Sequence, residues 1–212
     1  MEFEDVLNNR RSIRLFQKKI VERDKLFKII NAATLAPSAG NLQSWHFVII
    51  EDESIKSEII SAAMQQDWLR NAKILVVCAK TDNTVRFYGD RGLNLYCIQD
   101  TAAAIENILL EATNLGLGSC WVGAYDDKAV SRILKLPDNI KPVAIIAIGY
   151  SQGSQIMPNR YSIESVVSHD EYGKRIIDEG FDLAPLIKPE TKKLNKGGMF
   201  DKLLRKWRRN PE

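Results

Sequence analysis

Two short stretches carry residue types that could do chemistry. Residues 36–47 read APSAGNLQSWHF, which packs a proline, a glycine and two primary amides into a dozen positions. A helix tolerates Pro37 and Gly40 poorly, so the run is expected to be a loop of special backbone geometry that feeds a buried strand at 45–50. Asn41 and Gln43 stand two apart; on an extended segment their amides would point the same way and offer donors and acceptors together to a flat heterocycle. The competing reading is a plain helix-to-strand connection whose Ser, Asn and Gln side chains hydrogen-bond local backbone.

The second stretch is Arg10, Arg11, Ser12, Ile13 and Arg14. Three guanidiniums and a hydroxyl within five residues are costly to hold together unless an anion accepts them, and guanidinium forks match the oxygens of a phosphate. A solvated basic turn is the alternative. Ile13 among the arginines argues instead for the rim of a pocket.

Other chemistries are poorly served. His46 and His169 are the two histidines, too few for a His-rich metal centre, and neither neighbourhood suggests a Ser-His-Asp triad. Cys78, Cys97 and Cys120 are widely spaced, apolar in context and without ligand spacing, so buried free thiols are expected and no metal. The formal charge of +3 hides a division: residues 188–212 carry nine bases against three acids, leaving the first 187 residues at −3. The body therefore offers no basic field, and nucleic acid is not the expected partner.

Apolar periodicity predicts the elements that position these groups. Helices are expected at 2–9, 21–36 and 54–65, and a second buried strand at 74–79. The longest periodic segment, 91–117, reads as one helix at the centre of the domain, with Ala102, Ala103 and Ala104 allowing close backbone approach and Gly116 and Gly118 ending it. A strand at 119–122, a helix at 126–134 and a strand at 142–149 complete the core. Helices and strands alternate without hairpin signals, which predicts an α+β domain with helices covering a central sheet. At 212 residues and 45% hydrophobic content, one domain plus a tail is expected. No secretory pattern and no apolar run of membrane-spanning length is visible, so a cytoplasmic location is expected.

Taken in order, RRSIR, PSAGNLQSWHF, DTAAAIENILLEATNLGLGSCWVG, AIGY and NRYSIESVV resemble the FMN-dependent nitroreductase family over residues 1–167. The resemblance implies a nitroreductase-like FMN-binding domain at 1–167, with a central, mainly antiparallel sheet flanked by helices around a long central helix, in an intertwined homodimer with FMN at the subunit interface. It implies that Arg10, Arg11, Ser12 and Arg14, joined by Arg160, hold the FMN phosphate and ribityl chain. Pro37, Ser38, Ala39, Asn41 and Gln43 would reach the isoalloxazine from the partner subunit. Gly123 would bring bare backbone near flavin N5, and Gln66 would face the pyrimidine edge of the ring.

No catalytic acid or nucleophile is expected, because the flavin performs the hydride transfer. Trp68, Tyr88 and Tyr125 are the candidates for lining the cleft. The implied activity is ping-pong reduction of a nitroaromatic, quinone or similar small-molecule acceptor by NAD(P)H. Reductive dehalogenation, flavin cleavage and non-catalytic flavin or anion binding are the alternatives. Two departures stand out: Ser44 follows Gln43 where the family commonly has proline, and Val122 precedes Gly123 where some members carry an acid.

Residues 168–212 form a basic C-terminal extension. Met199, Phe200, Leu203, Leu204 and Trp207 fall on one side of a short helix, with Lys202, Arg205, Lys206 and Arg209 around the other. Docking on the dimer partner is the expectation; contact with an anionic membrane or nucleic acid is the alternative.

Overall fold

A computed structural model describes residues 1–153 and 155–174. The apolar runs become β1 (Trp45–Ile50), β2 (Lys73–Lys80), β3 (Gly118–Val122) and β4 (Ile140–Gly149). They form one sheet in the order β1-β2-β4-β3, antiparallel at every pairing. Along β2, Leu75 and Val77 join one apolar cluster while Ile74, Val76 and Cys78 join the other. Both faces are covered, which is why these strands read as continuous apolar runs rather than as an alternation.

One face packs against α2 (Arg23–Thr34) and α5 (Cys97–Asn114), through Ile29, Ala33, Ala104, Ile105 and Ile108. All five are fully buried, and each isoleucine contributes roughly 1.5–3 kcal/mol. The small side chains of Ala33 and Ala104 let the helices approach, and Asn107 Nδ2 donates to the Ala32 carbonyl at 3.0 Å. The other face carries α3 (Glu53–Ala62) and α6 (Asp127–Ile133), anchored by Ile59, Ile60 and Val130. At the start of the chain, α1 (Phe3–Asn9) touches α5.

The single helix expected at 91–117 is divided. A separate α4 (Asp82–Arg91) precedes a π-helical turn at Gly92–Tyr96, and α5 proper starts at Cys97. Gly92 packs so tightly on the Thr84 carbonyl that a Cβ has no room. Periodicity alone did not show α4, whose Val85, Phe87 and Tyr88 are exposed rather than gathered on a core stripe.

At its other end α5 closes as expected at Gly116, with φ +73: Leu117 N–H donates to Ala112 O at 2.8 Å and Gly116 N–H to Thr113 O at 3.0 Å. α3 and α6 end with the same reversal, but with Met64 and Lys135 in the left-handed position. The three cysteines are free and buried. Burial pushes the Cys78 thiol up to about 12.

Residues up to Gln155 make one compact unit and a second begins at Ile156. The described part of the second holds α7 (Ile163–Val166) and a turn in which His169 N–H donates to Lys174 O at 2.9 Å. The amphipathic helix expected around 199–207 lies outside the described residues. Among the described residues no helix is long and apolar enough to cross a membrane.

Candidate functional site

Strand register brings three sequence-distant pieces to one end of the sheet. β1 starts with Trp45 opposite Ala79, Ala79 lies opposite Lys141 on β4, and β3 leaves the sheet just after Val122. The loop before β1 and the Gly123 turn therefore lie at the same end of the sheet but at its opposite edges, with the Lys141–Pro142 corner between them. A cavity of about 620 Å³ opens there, lined by Ile98, Gly123, Tyr125, Lys128, Lys141 and Pro142.

The loop before β1 is not extended, contrary to the reading that put Asn41 and Gln43 on a strand-like segment. Ala39–Asn41 form a 3₁₀ turn, and Gly40, Asn41 and Gln43 all have left-handed backbone, with φ of +57, +57 and +49. For the two non-glycine residues that conformation costs roughly 1–2 kcal/mol each. It nevertheless brings the amides together: Gln43 Nε2 lies 3.4 Å from both the backbone and the side-chain oxygen of Asn41. Both residues are exposed.

Hydrogen bonds offset the strain. Ser38 Oγ accepts the Gln43 N–H at 3.0 Å. From outside the loop, Asp100 on α5 accepts the Ala39 N–H on Oδ1 at 2.9 Å and the Ser44 hydroxyl on Oδ2 at 2.8 Å. Asp100 is only 4% exposed, and the sequence reading missed it. The one available signal was an acid on the same helical stripe as Cys97 and Ala104, where an apolar residue would be expected. Tyr88 closes over the turn, its hydroxyl 2.5 Å from where a Cβ on Gly40 would stand, and meets Tyr96 edge-on at 5.0 Å.

Around Gly123 the structure leaves space: nothing lies within 4 Å of the position a Cβ would take. Gln66 sits beside this turn, its Nε2 donating to Ala63 O at 2.9 Å and Ala124 O at 3.2 Å. The Gln66 and Gly123 singled out from the sequence are thus neighbours. Tyr125 is half-buried, and burial, reinforced by Asp127, raises its phenol well above the usual range. Trp68 instead stacks on Phe16, with ring centroids 6.2 Å apart.

The arginine stretch docks on the edge of the sheet. Ser12 bridges Ser119 in parallel, and Ile13 N–H donates to Ser119 O at 2.8 Å. Ile13 seats over Gly118, where an added Cβ would come within 2.7 Å of its Cγ1. Arg10 Nε stands 3.8 Å from Glu106 on α5. Arg10 and Arg14 lie close enough to Cys120 to offset part of the burial that raises its thiol. Ser12 and Arg14 are exposed. Arg11 lines a separate recess of about 280 Å³ with Ile13, Thr113, Gly118 and Ser151, and its Nη1 donates to Arg10 O at 2.7 Å. Arg160 is exposed and belongs to the second unit.

Comparison with known proteins gives the family of the fold. The Nitroreductase family model matches residues 7–66 and 57–150, which hold every expected cofactor residue except Arg160. A candidate NADH dehydrogenase/NAD(P)H nitroreductase of Archaeoglobus fulgidus is 35% identical over 149 residues, covering 68% of this chain and 83% of its own. An FMN reductase (NADPH) of Bacillus subtilis is 22% identical over 160 residues, covering 69% of this chain and 64% of its own. The crystal structure of a nitroreductase family protein from Clostridium novyi has a TM-score of 0.66 at 28% identity, covering 85% of this chain and all of that one. With matched segments running from α1 to the end of β4, this chain belongs to the nitroreductase family.

Proposed function

We propose that the protein is an NAD(P)H-dependent FMN oxidoreductase, acting as a homodimer that passes electrons to a nitroaromatic, quinone or similar small acceptor in alternating half-reactions. One observation carries the reading: a bare glycine turn opens onto a cavity of about 620 Å³ at one end of the sheet, and a pair of exposed amides stands at the same end on the opposite edge. The relatives described as an NAD(P)H nitroreductase and an FMN reductase support the same chemistry.

The residues fit the cofactor. Arg10 and Arg14, with the exposed Ser12 hydroxyl between them, suit a phosphate dianion and the start of a ribityl chain. Asn41 and Gln43, carried with Pro37, Ser38 and Ala39, offer donors and acceptors to the polar edge of the ring. Gln66, tied to Ala124, adds a third amide near the Gly123 turn. The absent side chain of Gly123 leaves a face where a nicotinamide or an acceptor can stack. Bound FMN would supply the hydride-accepting centre, while the protein orients it and screens it from water.

Asp100 and Glu106 lie six residues apart on α5, hence roughly 9 Å along the helix and about 120° around it. The loop gripped by one and the arginine beside the other therefore stand on different sides of that helix, which favours a site completed by a second copy of the chain. In this reading residues 1–167 form the FMN-binding domain.

Titration of the purified protein with FMN and riboflavin tests the assignment. Arg10→Ala and Arg14→Ala are each expected to weaken FMN binding about 10- to 100-fold while sparing riboflavin. Stopped-flow mixing with NADH or NADPH should bleach the flavin absorbance, and an acceptor should restore it. A protein that binds no FMN, or whose bound flavin neither nicotinamide reduces, would overturn the proposal.

A further inference from the structure

Asp100 is the buried acid that the family match and the sequence motifs leave without a role. It lies in the first turn of α5, is 4% exposed, and spends both carboxylate oxygens on a single loop. Oδ1 takes the backbone N–H of Ala39 at 2.9 Å, and Oδ2 takes the hydroxyl of Ser44 at 2.8 Å. These two anchor points bracket Gly40, Asn41 and Gln43, the loop's three residues with left-handed backbone.

The other described hydrogen bonds of this loop are mostly internal: Asn41 N–H to Ser38 O, Leu42 N–H to Ala39 O, and Gln43 N–H to Ser38 Oγ. An internal set can keep the turn folded, but it cannot fix where the turn sits relative to the helix and the cavity. Beyond Asp100, the ties to the rest of the fold are Lys80 N–H to Ser44 O at 2.7 Å and the Tyr88 ring over Gly40.

We infer that Asp100 is a positioning residue for the cofactor: its carboxylate clamps both ends of the 39–44 loop to α5, so that the Asn41 and Gln43 amides stand ready at the polar edge of the ring. The inference rests on the proposed function for the identity of the ligand, while the clamp itself rests on the hydrogen bonds. A carboxylate suits the task because it accepts on both oxygens at once. An asparagine of the same shape keeps one acceptor for the Ala39 N–H and meets Ser44 only by reversing the bond, its amide donating to the hydroxyl oxygen, so both contacts lose the strength that the carboxylate charge gives them. The Ser44 hydroxyl also supplies a restraint at the position where a proline ring would otherwise limit the backbone.

The test compares wild type, Asp100→Asn, Ser44→Ala and the double variant in four measurements: urea midpoint, amide hydrogen exchange of residues 39–43 in flavin-free protein, FMN dissociation constant, and the visible circular dichroism of bound FMN. Asp100→Asn is expected to speed exchange at Ala39 and to weaken FMN binding about 10- to 100-fold, with an altered flavin dichroism. Ser44→Ala should move the same readouts less, and the double variant should be no worse than Asp100→Asn, because the two changes break one clamp.

If Asp100→Asn does not fold, Ser44→Ala carries the test alone, since it removes a single hydroxyl. Unchanged exchange at 39–43 overturns the inference. So does a lowered urea midpoint with FMN affinity and dichroism as in wild type, which would make Asp100 a plain structural acid. Wild-type protein that takes up no FMN would sink the proposed function, whereas the exchange measurement would still decide whether Asp100 holds the loop.

Discussion

The amide loop and the arginine stretch both lean on α5, yet they are held in opposite ways. The loop is strained and pinned: Asn41 and Gln43 sit in left-handed backbone, and Asp100 and Ser38 take up its donors. The arginine stretch is more open, resting on β3 through the backbone bridge of Ser12 to Ser119 and the Ile13 side chain, with a 3.8 Å ion pair from Arg10 to Glu106. A flat ring is recognised by the direction of hydrogen bonds, which demands a rigid edge. A phosphate is attracted from a distance and by charge, so flexible guanidiniums suffice. The contrast predicts that damage to the loop changes how a ring is seated, and damage to the arginine stretch changes whether a phosphate is kept.

Their shared support should be the most sensitive point. Ile108→Ala, at a fully buried position on α5, is expected to cost about 2–5 kcal/mol in urea unfolding and to raise amide exchange in both regions. Loosening of one region alone would mean that α5 does not couple them.

Gly118→Val should separate them. The new side chain collides with Ile13, lifting the arginine stretch from β3 at a cost of about 1–3 kcal/mol. FMN affinity should fall while riboflavin affinity and exchange at 39–43 stay as in wild type; an equal loss for both ligands would break the contrast. Gly40→Ala should do the reverse. Its φ of +57 and the Tyr88 hydroxyl both oppose a Cβ, for about 1–2 kcal/mol. FMN and riboflavin should then weaken together, and a loss confined to FMN would show that the loop serves the phosphate.

The smallest effect is expected away from both regions. Tyr150 donates to Glu22 at 2.7 Å and accepts from Lys25 at 2.8 Å, tying the end of β4 to the start of α2. The tyrosine hydrogen bond holds the Glu22 carboxyl below its usual 4.5, so its contribution is present above that pH and fades as the pH falls through the lowered folded value. Tyr150→Phe should therefore be slightly less stable at neutral pH and converge with wild type in acid. A stability gap that widened below pH 4.5 would contradict the assignment.

Much of this fold could be read from local pattern. Each of the four strands was found within two residues of its observed bounds, because continuous β-branched runs leave little alternative. α4 escaped because its apolar residues face outward, and the reversals at Met64 and Lys135 escaped because no glycine marks them. The site residues stood out by type, and the neighbourhood of Gln66 and Gly123 followed the resemblance. The direction taken by Arg11, into its own recess, had no local sign.

By itself, then, the sequence determined the order of the strands and of the helices around them other than α4, the presence of a loop at 37–44 and the pairing of arginines with a hydroxyl, since composition and period act over a few residues. The tertiary structure alone decided that Asn41 and Gln43 turn left-handed and that one buried carboxylate grips the loop at both ends. Those contacts join positions 56 and 61 residues apart, where closure of the chain around a packed core sets the geometry and no local period records it.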